Sequence, residues 1–332
     1  LVARELIVPL DPSAKRLLDM LAAAGGMADI ATMTPQQMRD GFRRLAQAVD
    51  VKGVVVGRSE DGQLPGPEGS LPYRIYRPPH PAAEPLPTLI FFHGGGGVFG
   101  DIDTHDGLCR TLCAESGCAV VSVGYRRAPE HKFPAAVEDS YAATLWVHDH
   151  AAELGLDAQH IAVGGDSAGG GLAAVVCQMA AARQGPRLAL QVLFCPVMDM
   201  RPQTPSRRAL AEGYFLNQAT MDWMLRHYCA ADPDLDDPRV SPLRAPQFSG
   251  LPPAHIHTAE FDPLRDEGEA YACALRQAGV AAHYTCHAGM IHYFYAMAGA
   301  IPPARAALKA AANAMRQALL GINAPAPRNC KA

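Results

Sequence analysis

The chain has 332 residues, 49% of them hydrophobic and 19% charged, with a formal net charge of −4. That is enough material for one large α/β domain with a small accessory lid and an ample buried core. Charges of both signs are mixed and no Lys/Arg cluster stands out, so nothing favours nucleic acid or an anionic membrane surface.

No apolar run approaches the ~18 residues that a transmembrane helix needs. The opening stretch LVARELIVPLDPSAK lacks the long apolar segment of a signal peptide. The nine cysteines are an odd number scattered from Cys109 to Cys330. This reads as reduced thiols and a cytoplasmic location rather than a disulfide framework. Cys109, Cys113 and Cys118 lie close together without metal-finger spacing and are expected to be structural.

In chain order, the first 50 residues read as helices. Thr34-Pro35-Gln36-Gln37 is a helix start: Thr caps, Pro suits the first turn, and Gln three residues on can bond back. Met38, Phe42, Leu45 and Val49 then share one helical face. Strand patterns begin at Leu71 to Tyr76 and recur at Thr88–Phe92, Ala119–Val123, Ile161–Val163, Leu190–Phe194, Ala254–Thr258 and Ala281–Cys286. Helical patterns intervene at Asp106–Ser116, Pro134–Ala152, Ala168–Arg183 and Asp266–Ala278, and a last one runs from Ala304 to Leu320 with Leu308, Met315 and Leu319 on one side, ending at Gly321.

This alternation predicts a mostly parallel sheet with helices on both faces. The Pro-rich segment Pro78 to Pro87 reads as a surface loop. One interval breaks the rhythm. From Pro196 to Pro252 there is no strand pattern, only a helix near Asn217 to Ala230 and turns such as Asp232-Pro233-Asp234 and Asp236-Asp237-Pro238. An insertion at the carboxyl edge of a sheet is where a lid would sit. The expected organisation is a helical cap segment over 1–50, a catalytic domain over 51–195 and 252–322, a cap insertion over 196–251, and a tail over 323–332.

Gly165-Asp166-Ser167-Ala168-Gly169 fits G-x-S-x-G between a strand and a helix, the context of a nucleophile elbow. The glycines relieve crowding around a sharp turn, and the helix aims its N-terminus at the serine. Alone, the pattern also fits an ordinary glycine-rich strand–helix turn. It is joined by His93-Gly94-Gly95-Gly96 after the strand Thr88–Phe92. Such a run lets backbone N–H groups approach a substrate oxygen, the second half of an oxyanion hole. A phosphate loop would require a lysine that is absent.

The base and its orienter should follow the serine in the order acid, then histidine. Asp262 stands directly after the strand Ala254–Thr258, with Glu260 and Asp266 as competitors. His292 stands after the last strand. The competing His255, His257, His283 and His287 lie in or near strands, where structural histidines are commoner.

These stretches, with Tyr125-Arg126-Arg127-Ala128-Pro129-Glu130, Asp262-Pro263-Leu264-Arg265-Asp266-Glu267-Gly268 and Gly289-Met290-Ile291-His292-Tyr293-Phe294, resemble the hormone-sensitive-lipase-like (bacterial family IV) carboxylesterases of the α/β-hydrolase superfamily. The resemblance spans residues ~90 to 295 in the expected order. It implies an α/β-hydrolase fold with a helical cap, Ser167, Asp262 and His292 as catalytic triad, and the N–H groups of Gly95, Gly96 and Ala168 as oxyanion hole. It also implies a small-molecule ester substrate of short to medium acyl chain and no metal or organic cofactor. It raises the question of a homodimer formed through an edge strand or the last helix.

Two positions depart from the family pattern. Gly97 stands where relatives usually carry a bulky side chain, and Arg127 replaces a usual Leu. Gly97, Phe215, Trp223, Met224 and Tyr228 are candidates for the substrate pocket, although the aromatic and Met positions fit lid core equally well. The alternatives are an amide or lactone hydrolase on the same triad, a lipase acting at oil–water interfaces, and a non-catalytic ligand receptor on the same fold. The last is disfavoured by the presence of His292.

Overall fold

The computed structural model describes residues 9–23, 30–201, 204–230 and 234–321. Asp232 and Pro233 of one expected turn, the 323–332 tail and Cys330 lie outside these residues. Eight strands form one sheet in the order β1-β2-β4-β3-β5-β6-β7-β8. A hairpin of β1 (Arg58–Gly66) and β2 (Gly69–Arg77) is antiparallel and joins β4 (Ala119–Val123) antiparallel. From β4 onward all pairs are parallel: β3 (Leu86–Phe92), β5 (Leu156–Asp166), β6 (Leu190–Phe194), β7 (Ala254–Phe261) and β8 (Ala282–Ile291).

The central strands are apolar on both faces because helices cover both sides. Every residue of β3, β4 and β6 is buried. On one side α3 (Asp106–Ser116) packs on α9 (Pro303–Leu319), and on the other α4 (Ala135–Asp149) packs on α5 (Ala168–Ala182). Helix α8 (Arg265–Gln277) lies against β7 and β8. The predicted helices and strands are all present, most with ends shifted by a few residues. The strand β1 was not anticipated: its sequence RSEDGQLPG is polar and only Leu64 is buried, so an edge strand left no apolar signature. Among the described residues, no helix is long and apolar enough to cross a membrane.

Among the described residues, two α-helices precede the sheet, α1 (Pro12–Ala23) and α2 (Pro35–Val49). The expected capping box at α2 is formed: Gln37 N–H donates to Thr34 Oγ1 at 3.2 Å, and Thr34 N–H to Gln37 Oε1 at 2.8 Å. Between β6 and β7 lie α6 (Pro205–Ala209) and α7 (Gln218–Tyr228), the latter capped by Asn217, whose Oδ1 accepts from Thr220 N–H at 2.8 Å. The two distant segments touch, since Trp223 Nε1 of α7 donates to Met33 O at 3.1 Å.

Candidate active site

The strand β5 runs into α5 through Ser167, whose backbone lies at φ 56°, ψ −117°. A non-glycine residue there is strained and is held only by its surroundings. Ser167 N–H donates to Phe194 O at 2.8 Å, and Ser167 O accepts from Val197 N–H at 3.0 Å and Gly171 N–H at 3.1 Å. The flanking glycines are required sterically: a Cβ on Gly165 or Gly169 would collide with the Phe92 carbonyl.

His292, one residue beyond β8, places Nε2 3.0 Å from Ser167 Oγ. Its Nδ1 lies 2.7 Å from Asp262 Oδ2, and Asp262, one residue beyond β7, accepts Leu264 N–H on Oδ1 at 2.9 Å. All three are buried. Burial alone would push the imidazole down; the charge and hydrogen bond of Asp262 more than offset it, and His292 is held above its usual value. The competitors are elsewhere. Glu260 accepts Gly289 N–H, and Asp266 accepts Ser206 N–H. His255 and His257 lie in β7, His283 and His287 in β8.

The loop after β3 turns through three left-handed glycines, Gly95 (φ 109°), Gly96 (φ 62°) and Gly97 (φ 71°). The N–H groups of Gly95 and Gly96 have no backbone acceptor among the described residues. That of Ala168 is one of the first-turn donors a helix leaves free. The loop is tied down by residues whose roles the sequence did not reveal. Tyr125 stacks on His93 at 4.2 Å and its hydroxyl donates to His93 O at 2.7 Å. Arg127 Nη1 donates to Gly100 O at 2.5 Å, which accounts for the arginine at that position. Arg39 of α2 reaches Val98 O, Ala128 O and the Glu130 carboxylate at 2.6–2.9 Å. Burial, then repulsion from His105, pushes His93 down to about 3, so this ring is neutral and anchors the loop. The sequence shows these arginines but does not say which carbonyls they reach.

Two small cavities flank the serine. One, of about 60 Å³, is lined by Ser167, Gly96, Leu216, Met221, Met224 and Leu264 among others. The second, of about 30 Å³, is lined by Gly97, Ala168, Leu172, Tyr228 and Val240 among others. Of the predicted pocket residues, Met224 faces the first cavity, and Gly97 and Tyr228 face the second. Trp223 lines neither and points into the interior toward Met33, and Phe215 stacks on Tyr293 at 5.9 Å. The residue at 97 must be small: a Cβ there would stand 2.5 Å from the Tyr228 ring. Arg207 also lines the first cavity, buried and paired with Glu267 at 3.0 Å. A larger cleft of about 400 Å³, around Asp50, Arg74 and Asp106, is polar and lined by paired charges.

Among the described residues, Cys195, Asp262 and His292 are the one set of three His, Cys, Asp or Glu donors close enough to share a cation. Two of the three are already joined by the 2.7 Å hydrogen bond.

A serine, imidazole and carboxylate in this sequence of contacts can carry out nucleophilic acyl transfer. A family model described as the α/β-hydrolase fold matches residues 89–296. The chain belongs to this family, and it is a carboxylic-ester hydrolase by class. It is 49% identical over 240 residues to the carboxylic ester hydrolase LipN of Mycobacterium tuberculosis, a match covering 70% of this chain and 63% of that relative. It is 37% identical over 308 residues to an ethyl acetate hydrolase of Pseudomonas putida, covering 92% and 96%. An ester hydrolase from the metagenome of Lake Arreo, solved with a derivative of bipyridine phosphonate, superposes with a TM-score of 0.90 at 43% identity, covering 92% of this chain and 98% of that one.

Proposed function

We propose that the protein hydrolyses carboxylic esters of short- to medium-chain acids through an acyl-enzyme on Ser167. The observation that carries this reading is the unbroken run from Ser167 Oγ through His292 to Asp262 at 3.0 and 2.7 Å, on a serine held in left-handed backbone. His292 Nε2 takes the hydroxyl proton as Ser167 Oγ attacks the ester carbonyl. Asp262 holds the ring with Nδ1 protonated and stabilises the imidazolium. The N–H groups of Gly95, Gly96 and Ala168 receive the oxyanion, each worth on the order of 3 kcal/mol in such sites. His292 then gives its proton to the leaving alcohol, and water, activated by the same ring, releases the acid.

The N-terminal helices and the 196–251 insertion form the cap in this reading, and the two cavities seat the two arms of the ester. Their small volumes support short arms. The test is hydrolysis of p-nitrophenyl butyrate by the parent and by Ser167→Ala side by side. The parent turns over and the variant falls by about 10³-fold or more; equal activity in both would remove Ser167 from the mechanism. A matched anilide, hydrolysed as fast as the ester, would move the reading to amides.

A further inference from the structure

Among the described residues, four non-glycine positions have left-handed backbone: Ser167 (φ 56°), Gln184 (φ 53°), Cys195 (φ 43°) and Tyr293 (φ 67°). Three of the four converge on the site, and such strain is retained where the surroundings enforce it. Ser167 and Tyr293 are explained by the elbow and by the turn that presents His292. Cys195 has no part in the proposed chemistry.

Cys195 directly follows β6 and is completely buried. Its Sγ, a carboxylate oxygen of Asp262 and a ring nitrogen of His292 all lie within 4.8 Å of one another. Its N–H donates to His257 O at 2.7 Å, in the strand that delivers Asp262, and the carbonyl of the preceding Phe194 takes Ser167 N–H. The residue therefore stands where the supports of all three members meet. Burial first, then the charges of Asp262 and Asp166, push the thiol well above its ordinary value, so it remains an S–H. A thiol is a weak donor and a weak acceptor. The Asp262 carboxylate is the acceptor nearest the thiol that the cluster offers. Asp262 already accepts His292 on Oδ2 and Leu264 on Oδ1, and each carboxylate oxygen has a second lone-pair site to offer.

We propose that Cys195 is a positioning residue for the triad: its S–H turns to the Asp262 carboxylate while its main-chain N–H ties it to the strand that delivers Asp262, so that one buried residue steadies the carboxylate that orients His292. This rests on the triad reading above. The consequence has a definite sign. A donor behind the carboxylate disperses its charge. Removing the donor strengthens the attraction between Asp262 and the imidazolium, raises His292, and moves the acid limb of kcat/KM to higher pH. The charges facing His292 are Asp262, Asp166 and Glu267, and Tyr295 faces Cys195; all are common to the parent and the variants.

The experiment compares the parent, Cys195→Ala, Cys195→Ser and Ser167→Ala on one soluble p-nitrophenyl ester across pH. Cys195→Ala is expected to lose about tenfold in kcat, the worth of one weak hydrogen bond to a charged group, with KM within about twofold and the acid limb shifted upward. Cys195→Ser keeps a donor and is expected to recover most of the loss. An alanine variant with the parent's kcat and pH profile, or a serine variant as impaired as alanine, overturns the proposal and leaves the thiol as core filling. If the alanine variant does not fold, Cys195→Gly, which suits the left-handed backbone and also lacks a donor, takes its place, and the downfield Nδ1 proton resonance of His292 is compared with the parent's; an unmoved resonance overturns the proposal equally. A Ser167→Ala protein with full activity would instead overturn the triad reading, so the two failures are distinct.

Discussion

The strand-end loops and the insertion between β6 and β7 both reach Ser167, yet they are held in different ways. The loops are fixed by backbone. Ser167, Asp262 and His292 each follow a parallel strand by at most one residue, and the elbow is pinned by three main-chain hydrogen bonds of 2.8–3.1 Å. The insertion is fixed by side chains from elsewhere in the chain: Trp223 on Met33, Arg207 on Glu267, and Met224 and Tyr228 lying over Gly96 and Gly97. The difference suggests a division of labour. Backbone geometry tolerates little change and carries the chemistry, whereas side-chain packing can be altered in small steps and shapes what enters.

The sharpest break in that comparison is Asp262→Asn. It leaves the loop in place but removes the charge that holds the imidazole tautomer, and kcat is expected to fall by about 10³- to 10⁴-fold with thermal stability little changed. Rate assays with parallel melting curves check both halves. Gly169→Ala tests the backbone side. Its Cβ would collide with Phe92 and His93 carbonyls, so the elbow must shift, with about 2 kcal/mol or more of stability lost along with most of the activity. A variant that melts and reacts like the parent would show that the elbow is looser than described.

The insertion should respond differently. Tyr228→Ala removes the ring beside Gly97 and enlarges the second cavity. The ratio of kcat/KM for p-nitrophenyl octanoate to acetate is expected to rise severalfold while the best substrate loses less than about tenfold, since a methylene in such a pocket is worth only ~1–3 kcal/mol. An unchanged ratio would mean that Tyr228 does not bound either ester arm.

The smallest expected effect concerns the histidines of β7 and β8, outside both regions. Burial pushes His255 and His287 down to about 4 and His257 well below its ordinary value, with His283 beside His255 and His287 beside His257 adding repulsion in those two cases. Unfolded histidine titrates near 6.5. Between those values the unfolded chain binds more protons, so this contribution to stability is full above about pH 6.5 and is lost progressively as pH falls toward 4. Melting temperature should decline over that window, and His257→Phe should flatten the decline.

The sequence was legible where physics leaves a one-dimensional trace. Buried parallel strands such as Leu86–Phe92 are continuous apolar runs, Thr34 to Gln37 carries its own cap, and the glycines around Ser167 and after His93 mark turns that no side chain can enter. Edge strand β1 left no such trace, because its residues face water and the pairing partner supplies its order. The anchors of the glycine loop, Arg39, Tyr125 and Arg127, and the buried Cys195 were equally silent, because their meaning lies in contacts across 27 or more residues of chain or in a backbone angle. On α7 the apolar residues Met221, Trp223, Met224, Leu225 and Tyr228 spread around all but the Gln218, Asp222 and Arg226 stripe, so periodicity alone did not say that Met224 and Tyr228 face the cavities while Trp223 turns inward.

The central claim is that Ser167 becomes acylated. It is tested most directly by quenching the protein in acid during turnover of p-nitrophenyl acetate and locating the acetyl group by peptide mass spectrometry. The account predicts an acetyl adduct on the peptide containing Ser167, accumulating in Asp262→Asn if deacylation slows and absent from Ser167→Ala. An active protein that carries the acetyl group on another residue, or turns over fully with Ser167 replaced, would contradict it.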